Sequence, residues 1–145
     1  MIRIYCDGAC DNTNKNQENK ISSYGFVVLD GEGNEIYKEH GVIAKGELAT
    51  SNVSEHGAIL KALEWVESKG VAGAVSVLSD SQMSIYQHLG KTTVCKKGEK
   101  PYGKYYRLAR IITDRIKKNN IALDFKWIPR EQNEIADKLS KIDQK

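Results

Sequence analysis

The chain opens Met1-Ile2-Arg3-Ile4-Tyr5-Cys6-Asp7-Gly8-Ala9, and the fold turns on how that stretch is read. Ile2, Ile4 and Cys6 alternate with Arg3, Tyr5 and Asp7, the period of two that marks a strand. Residues 11–20 are polar and read as a loop. Residues 23–29 and 35–44 read as two further strands, joined at Asp30-Gly31-Glu32-Gly33-Asn34, a hairpin signal. Three consecutive strands on short connections predict an antiparallel meander.

The period then changes. Between residues 52 and 69 the apolar positions 58, 59, 62, 63 and 66 have helical spacing, and Gly70 closes the helix. Residues 74–78 predict a buried strand, 81–89 a short helix and 91–100 a basic loop. Residues 102–119 predict a long basic helix with Leu108, Ile111, Ile112 and Ile116 facing inward. A fifth strand is expected over 121–128 and a last helix over 132–142. The order β-β-β-α-β-α-α-β-α predicts an α/β fold, a five-stranded mixed sheet with helices packed on it. No repeat, low-complexity tract or linker divides it, so residues 1–145 read as a single domain.

Composition narrows the class. With 40% hydrophobic and 28% charged residues, 12 Gly and only 2 Pro, the chain suits a compact fold rather than a disordered or collagen-like one. No run of 18 apolar residues exists, so no membrane-spanning helix is expected. The first residues lack the order of a signal peptide, and three cysteines fit a reducing compartment; a cytoplasmic monomer is the expectation. The net charge of +3 hides an asymmetry. Residues 1–90 hold 7 basic and 12 acidic side chains, whereas residues 91–118 hold 10 and 2. A strip of that strength points to a polyanion, with nucleic acid foremost; a merely solvated helix face is the plainer reading.

Four carboxylates stand in unusual places. Asp7 lies inside a strand, where Asp is disfavoured. Glu55 begins a helix in line with its apolar stripe, Asp80 ends the fourth strand, and Asp137 lies one turn beyond Asn133 in the last helix. Singly each has an ordinary explanation: Asn52 and Glu55 as a capping pair, Asp80 as an N-cap, Asp137 facing water. Together they say more. Converging carboxylates repel unless cations sit among them, and hard Mg²⁺ or Mn²⁺ prefers oxygen ligands. Two such ions ~3.5–4 Å apart can hold an attacking water and a leaving oxygen on either side of a phosphodiester.

Four blocks then carry a resemblance: Tyr5-Cys6-Asp7-Gly8-Ala9-Cys10, Thr50-Ser51-Asn52-Val53-Ser54-Glu55, Ser79-Asp80-Ser81-Gln82 and Asn133-Glu134-Ile135-Ala136-Asp137-Lys138-Leu139-Ser140. In that order and spacing they resemble the signature blocks of type 1 ribonuclease H, over essentially the whole chain. The resemblance implies a ribonuclease H-like fold, with an antiparallel β-meander continued by parallel strands. It implies cleavage of the RNA strand of RNA–DNA hybrids with two Mg²⁺ (or Mn²⁺) ions, leaving 3′-hydroxyl and 5′-phosphate ends. Asp7 would serve both ions, Asp137 the ion holding the water, and Glu55 and Asp80 the second ion. Cys10, Asn12, Asn52, Gln82 and Asn133 would contact the hybrid, and Lys96, Lys97 and Lys100 would grip the DNA strand.

Departures accompany the matches. Thr13, between Asn12 and Asn14, stands where relatives often have Asn, and Ser51 replaces the first of a usual Asn pair. The histidine that many relatives carry before the final block is absent from Trp127-Ile128-Pro129-Arg130-Glu131-Gln132. Arg130 and Glu131 are the ionisable groups there, as auxiliaries to phosphate or proton transfer or as plain turn residues. Cys6 reads as a core thiol, His56 as a surface residue and the two tryptophans as anchors. Two other functions remain open: a hybrid- or duplex-binding module without catalysis, and a DNA-processing nuclease on the same fold.

Overall fold

The computed structural model describes residues 1–11, 17–92 and 100–144, and it sets the opening alternation, β1 (Ile2–Cys10), in the middle of a five-stranded sheet. β1 pairs antiparallel with β2 (Ile21–Leu29), which pairs antiparallel with β3 (Glu35–Lys45). On its other side β1 runs parallel to β4 (Ala74–Ser79), and β4 parallel to β5 (Ala122–Trp127). The order is β3-β2-β1-β4-β5, the mixed sheet that the pattern predicted. The β2–β3 hairpin closes on Asp30, whose Oδ1 accepts from the backbone N–H of Glu32 and Asn34, both at 2.9 Å, while Gly33 supplies φ 86°.

α1 (Ser51–Lys69) is capped by Thr50, whose Oγ1 accepts from Val53 N at 3.1 Å, and it ends at Gly70 with φ 61°. Asn52 therefore lies inside the helix's first turn, and the Asn52–Glu55 capping pair, the ordinary alternative for Glu55, does not form. Ala58, Ile59, Ala62, Leu63 and Val66 of α1 pack on Ile4, Cys6, Phe26 and Val28 of the sheet to make the core. α3 (Tyr102–Lys118) lies beside α1 and turns Ala109, Ile112, Thr113 and Ile116 inward. That stripe corrects one expectation: Leu108 and Ile111, each one residue before a buried position and so about 100° around the helix, are 41% and 52% exposed.

α2 (Gln82–His88) is capped by Ser81 rather than by Asp80. The expected last helix is interrupted: a 3-10 turn (Arg130–Gln132) precedes α4 (Glu134–Ser140), and a second turn (Ile142–Gln144) follows it. α4 packs on β2 and β1. Gln144 fastens the chain's end there, its Nε2 donating to the carbonyls of Ala9 and Ile21 at 3.1 and 2.9 Å. Among the described residues no helix is long and apolar enough to cross a membrane.

Candidate metal centre

Asp7 is 4% exposed and sits next to Gly8, and that glycine decides what can approach. A Cβ on Gly8 would lie 2.3 Å from the Ser54 carbonyl carbon and 2.6 Å from Glu55 N, so only glycine lets α1 settle this close to β1. Gly25, paired with Asp7 across the sheet, does the same for α4: a Cβ there would meet Leu139 Cβ and Ser140 N, both at 2.5 Å. Two missing methyl groups thus bring Glu55 on α1 and Asp137 on α4 in to Asp7. The parallel pairing supplies the last member. Tyr5 pairs with Leu78, so two residues further on Asp7 and Asp80 share one edge of the sheet.

One oxygen from each of Asp7, Glu55 and Asp80 lies within 4.8 Å of the others. Asp7 is within hydrogen-bonding reach of Glu55, Asp80 and Asp137 alike. The cluster strains against its own charge. Burial, then the neighbouring Asp80 and Asp137, pushes the Asp7 carboxyl up to about 8. Burial, with Asp7 and Asp80 beside it, holds Glu55 well above the carboxylate range, and burial raises Asp80 against the opposing pull of Asn133 and Arg130. At Asp137 burial works upward but is outweighed by the hydrogen bond to Asp7 and by Lys141 and Arg130, so its net shift is downward. Glu55 Oε2 is enclosed and has no hydrogen-bond partner among the described residues. An all-oxygen donor set with an unsatisfied buried carboxylate fits a hard divalent cation, which can hold all of these groups ionised.

The cluster floors a cavity of about 440 Å³ that Cys10, Ser51, Arg130 and Lys141 also line. Lys141 Nζ is 3.2 Å from Asp137 Oδ2, and Arg130 Nη2 is 3.9 Å from Oδ1. Sequence reasoning missed Lys141; its i+4 spacing from Asp137 was the available signal. Of the expected substrate contacts, Cys10 lines the cavity, while Asn52 and Gln82 are exposed on the first turns of α1 and α2. Asn133 is a correction. It is 1% exposed, with Nδ2 donating to Cys6 O at 2.9 Å and a further bond to Asp80, so it ties the final block to the central strand and offers nothing to solvent. Arg130 and Glu131 part company, since Glu131 lines a separate cavity of about 280 Å³ with Tyr5, Val27 and Leu29. Asn12, Lys96 and Lys97 lie outside the described residues. Lys100 lines a cavity of about 310 Å³ with Lys104, Arg107 and Tyr105.

A meander continued by two parallel strands, carrying a carboxylate cluster at the edge between antiparallel and parallel halves, defines a protein of the ribonuclease H fold. A sequence-family model described as reverse transcriptase-like matches residues 6–142. The chain belongs to that family and is a member of the RNase H group. Among solved structures it is similar to LC11-RNase H1, isolated from compost by a metagenomic approach and solved with an RNA/DNA hybrid; 28% of residues are identical, over 96% of this chain and 93% of that one, with a TM-score of 0.76. It shares its fold with RNase H1 of the halophilic archaeon Halobacterium salinarum (23% identity, 95% and 92% covered, TM-score 0.76). The same holds for the N-terminal RNase H domain of a Mycobacterium tuberculosis protein (24% identity, 95% and 88% covered, TM-score 0.77).

Proposed function

We propose that this protein is a divalent-metal-dependent endoribonuclease that hydrolyses the RNA strand of RNA–DNA hybrids, leaving 5′-phosphate and 3′-hydroxyl ends. The observation that carries the reading is the meeting of Asp7, Glu55 and Asp80 within 4.8 Å, with Asp137 in contact with Asp7 and Glu55 Oε2 unpartnered. These four carboxylates would hold two Mg²⁺ or Mn²⁺ ions, with Asp7 common to both because it reaches the other three. Bound there, such ions supply Lewis-acid stabilisation of phosphoryl charge and a water of lowered pKa. The chain's own part is to orient and to balance charge. Asn133 fixes Asp80 and β1, and Lys141 and Arg130 offset the carboxylates at the cavity mouth and meet the incoming phosphate. Cys10, Asn52 and Gln82 face the RNA strand, where the 2′-hydroxyl distinguishes RNA from DNA. Lys96, Lys97, Lys100 and their neighbours on α3 neutralise phosphates of the DNA strand. The hybrid seen with LC11-RNase H1 supports this choice of substrate. One domain acting as a cytoplasmic monomer completes the reading.

The test is a panel of labelled RNA–DNA hybrid, double-stranded RNA and double-stranded DNA, each with Mg²⁺ and with chelator. Cleavage of the hybrid's RNA strand in Mg²⁺ alone is expected. Binding without cleavage would make the protein a binding module, and cleavage of the DNA duplex would make it a DNA-processing nuclease.

A further inference from the structure

Three polar side chains, His56, Gln87 and His88, are buried in an otherwise aromatic part of the core, and His88 lies 5.8 Å from His56 between ring centroids. His56, the residue after Glu55 on α1, is 0% exposed, and Gln87, in the last turn of α2, is 2% exposed. His56 Nε2 lies 2.7 Å from Gln87 Oε1; an amide oxygen only accepts, so the ring nitrogen donates. Gln87 Nε2 in turn donates to the Tyr102 hydroxyl at 3.2 Å, and the Tyr102 ring returns to stack on His56 at 4.8 Å between centroids and 10° between planes. Tyr106 closes the group, its hydroxyl donating to the Gln87 carbonyl at 3.4 Å and its ring meeting His56 edge-on. The expectation of a surface histidine fails here because α1 is covered on two sides, by the sheet and by α3.

The network joins parts of the molecule that matter to one another. Gln87 and Tyr102 stand on either side of the segment linking α2 to α3. Lys91 and Lys100 lie in that segment, and Tyr102 opens the helix that carries Lys104 and Arg107. Stability does not demand such a pair, because replacing both partners of a buried hydrogen bond by apolar groups of like shape is nearly neutral or stabilising. What it adds to a packed core is one defined arrangement.

We propose that His56 is a positioning residue for the hybrid: through Gln87 and Tyr102 it locks the cationic start of α3 at a fixed place relative to the carboxylate cluster that begins one residue away. The inference rests on the hybrid-cleaving function proposed above. Phosphate contacts set the register of a duplex, so a loosened α3 weakens binding without touching the groups that act on the scissile bond.

The experiment compares wild type with two variants, His56→Phe combined with Gln87→Leu, and Tyr102→Phe, which keeps the stacked ring and removes the hydroxyl. Hybrid affinity in Ca²⁺ is measured against salt, and kcat and KM in Mg²⁺. The double variant is expected to raise Kd and KM about tenfold, to flatten the log–log salt slope by ~0.9 for each phosphate that α3 no longer neutralises, and to change kcat by less than about twofold. Its melting temperature stays level or rises. Tyr102→Phe moves Kd and slope in the same direction, and it decides the matter alone if the double variant does not fold. Unchanged Kd and slope, or a fall confined to kcat and melting temperature, would reduce the network to structure and overturn the inference. A wild type that neither binds nor cleaves hybrid overturns the proposed function instead, and the inference with it.

Discussion

Asp7 is where the cost of the site is concentrated. Its carboxyl is pushed from an ordinary 3.8 to about 8 by burial and by its acidic neighbours. A group whose folded pKa is raised contributes stability that is fully present below its unfolded pKa and is lost as pH rises through the folded one. Metal-free protein should therefore be penalised progressively between about pH 4 and pH 8. Asp7→Asn removes that penalty, so its melting temperature without metal should exceed that of wild type at pH 8. Wild type should gain stability on adding Mg²⁺, and the variant should gain little, which thermal melts with and without the ion will show. At the neighbouring turn the two candidates separate. Glu131 faces another cavity, so Glu131→Gln should leave turnover within about threefold, an ordinary surface effect. Arg130→Ala, which strips a cation from the cavity mouth, should lower turnover more than that in the same assay.

The elements are placed by close approach as much as by pattern. Gly25→Ala would drive a methyl group into Leu139 Cβ and Ser140 N, so α4 must shift and carry Asp137 with it. Overpacking of this kind costs about 1–3 kcal/mol, and urea unfolding should show it together with a fall in hybrid cleavage. The strands and their succession along the chain were legible because alternation at residues 2–7 and the change to helical period after residue 52 are local signals. The four carboxylates were legible as a set because Asp7 stands in a strand where its type is out of place, Glu55 and Asp80 stand near element ends, and Asp137 falls one turn beyond Asn133 in the last of the four blocks. Three things were not. His56 was hidden because angular spacing on α1 assumes one buried face, whereas α1 has neighbours on two. Leu108 and Ile111 were misplaced because apolar character stood in for position, while the buried stripe of α3 includes Ala109 and Thr113. Asn133 turned inward because the 3-10 turn before α4 aims its amide at the central strand, a partner 127 residues away in sequence.

At the scale of the whole molecule, the buried histidines oppose Asp7 in how acid acts on stability. Burial lowers His56 to about 4 and His88 to about 3, so both are neutral in the folded protein. A depressed histidine contributes stability present above its unfolded pKa of ~6.5 and lost as pH falls toward the folded value. Between pH 7 and pH 5 that loss is about 2 kcal/mol for each. Removing His56 in the His56→Phe, Gln87→Leu variant should therefore leave a protein whose unfolding free energy falls about 2 kcal/mol less than wild type over the same interval, measured by urea titration at each pH. On the proposed function the charge asymmetry has a matching role, the carboxylate cluster taking cations and the strip beyond residue 90 taking phosphates. The central claim is that these two needs meet on one substrate, at Asp7. Its most direct test is the rate of RNA-strand cleavage in a labelled RNA–DNA hybrid in Mg²⁺, for wild type and Asp7→Asn, with hybrid affinity in Ca²⁺ measured alongside. The account predicts that the rate falls by roughly 10³-fold or more, about 4 kcal/mol of barrier, with affinity nearly unchanged. A variant that keeps more than about a tenth of the wild-type rate, a barrier change under ~1.4 kcal/mol, would contradict it.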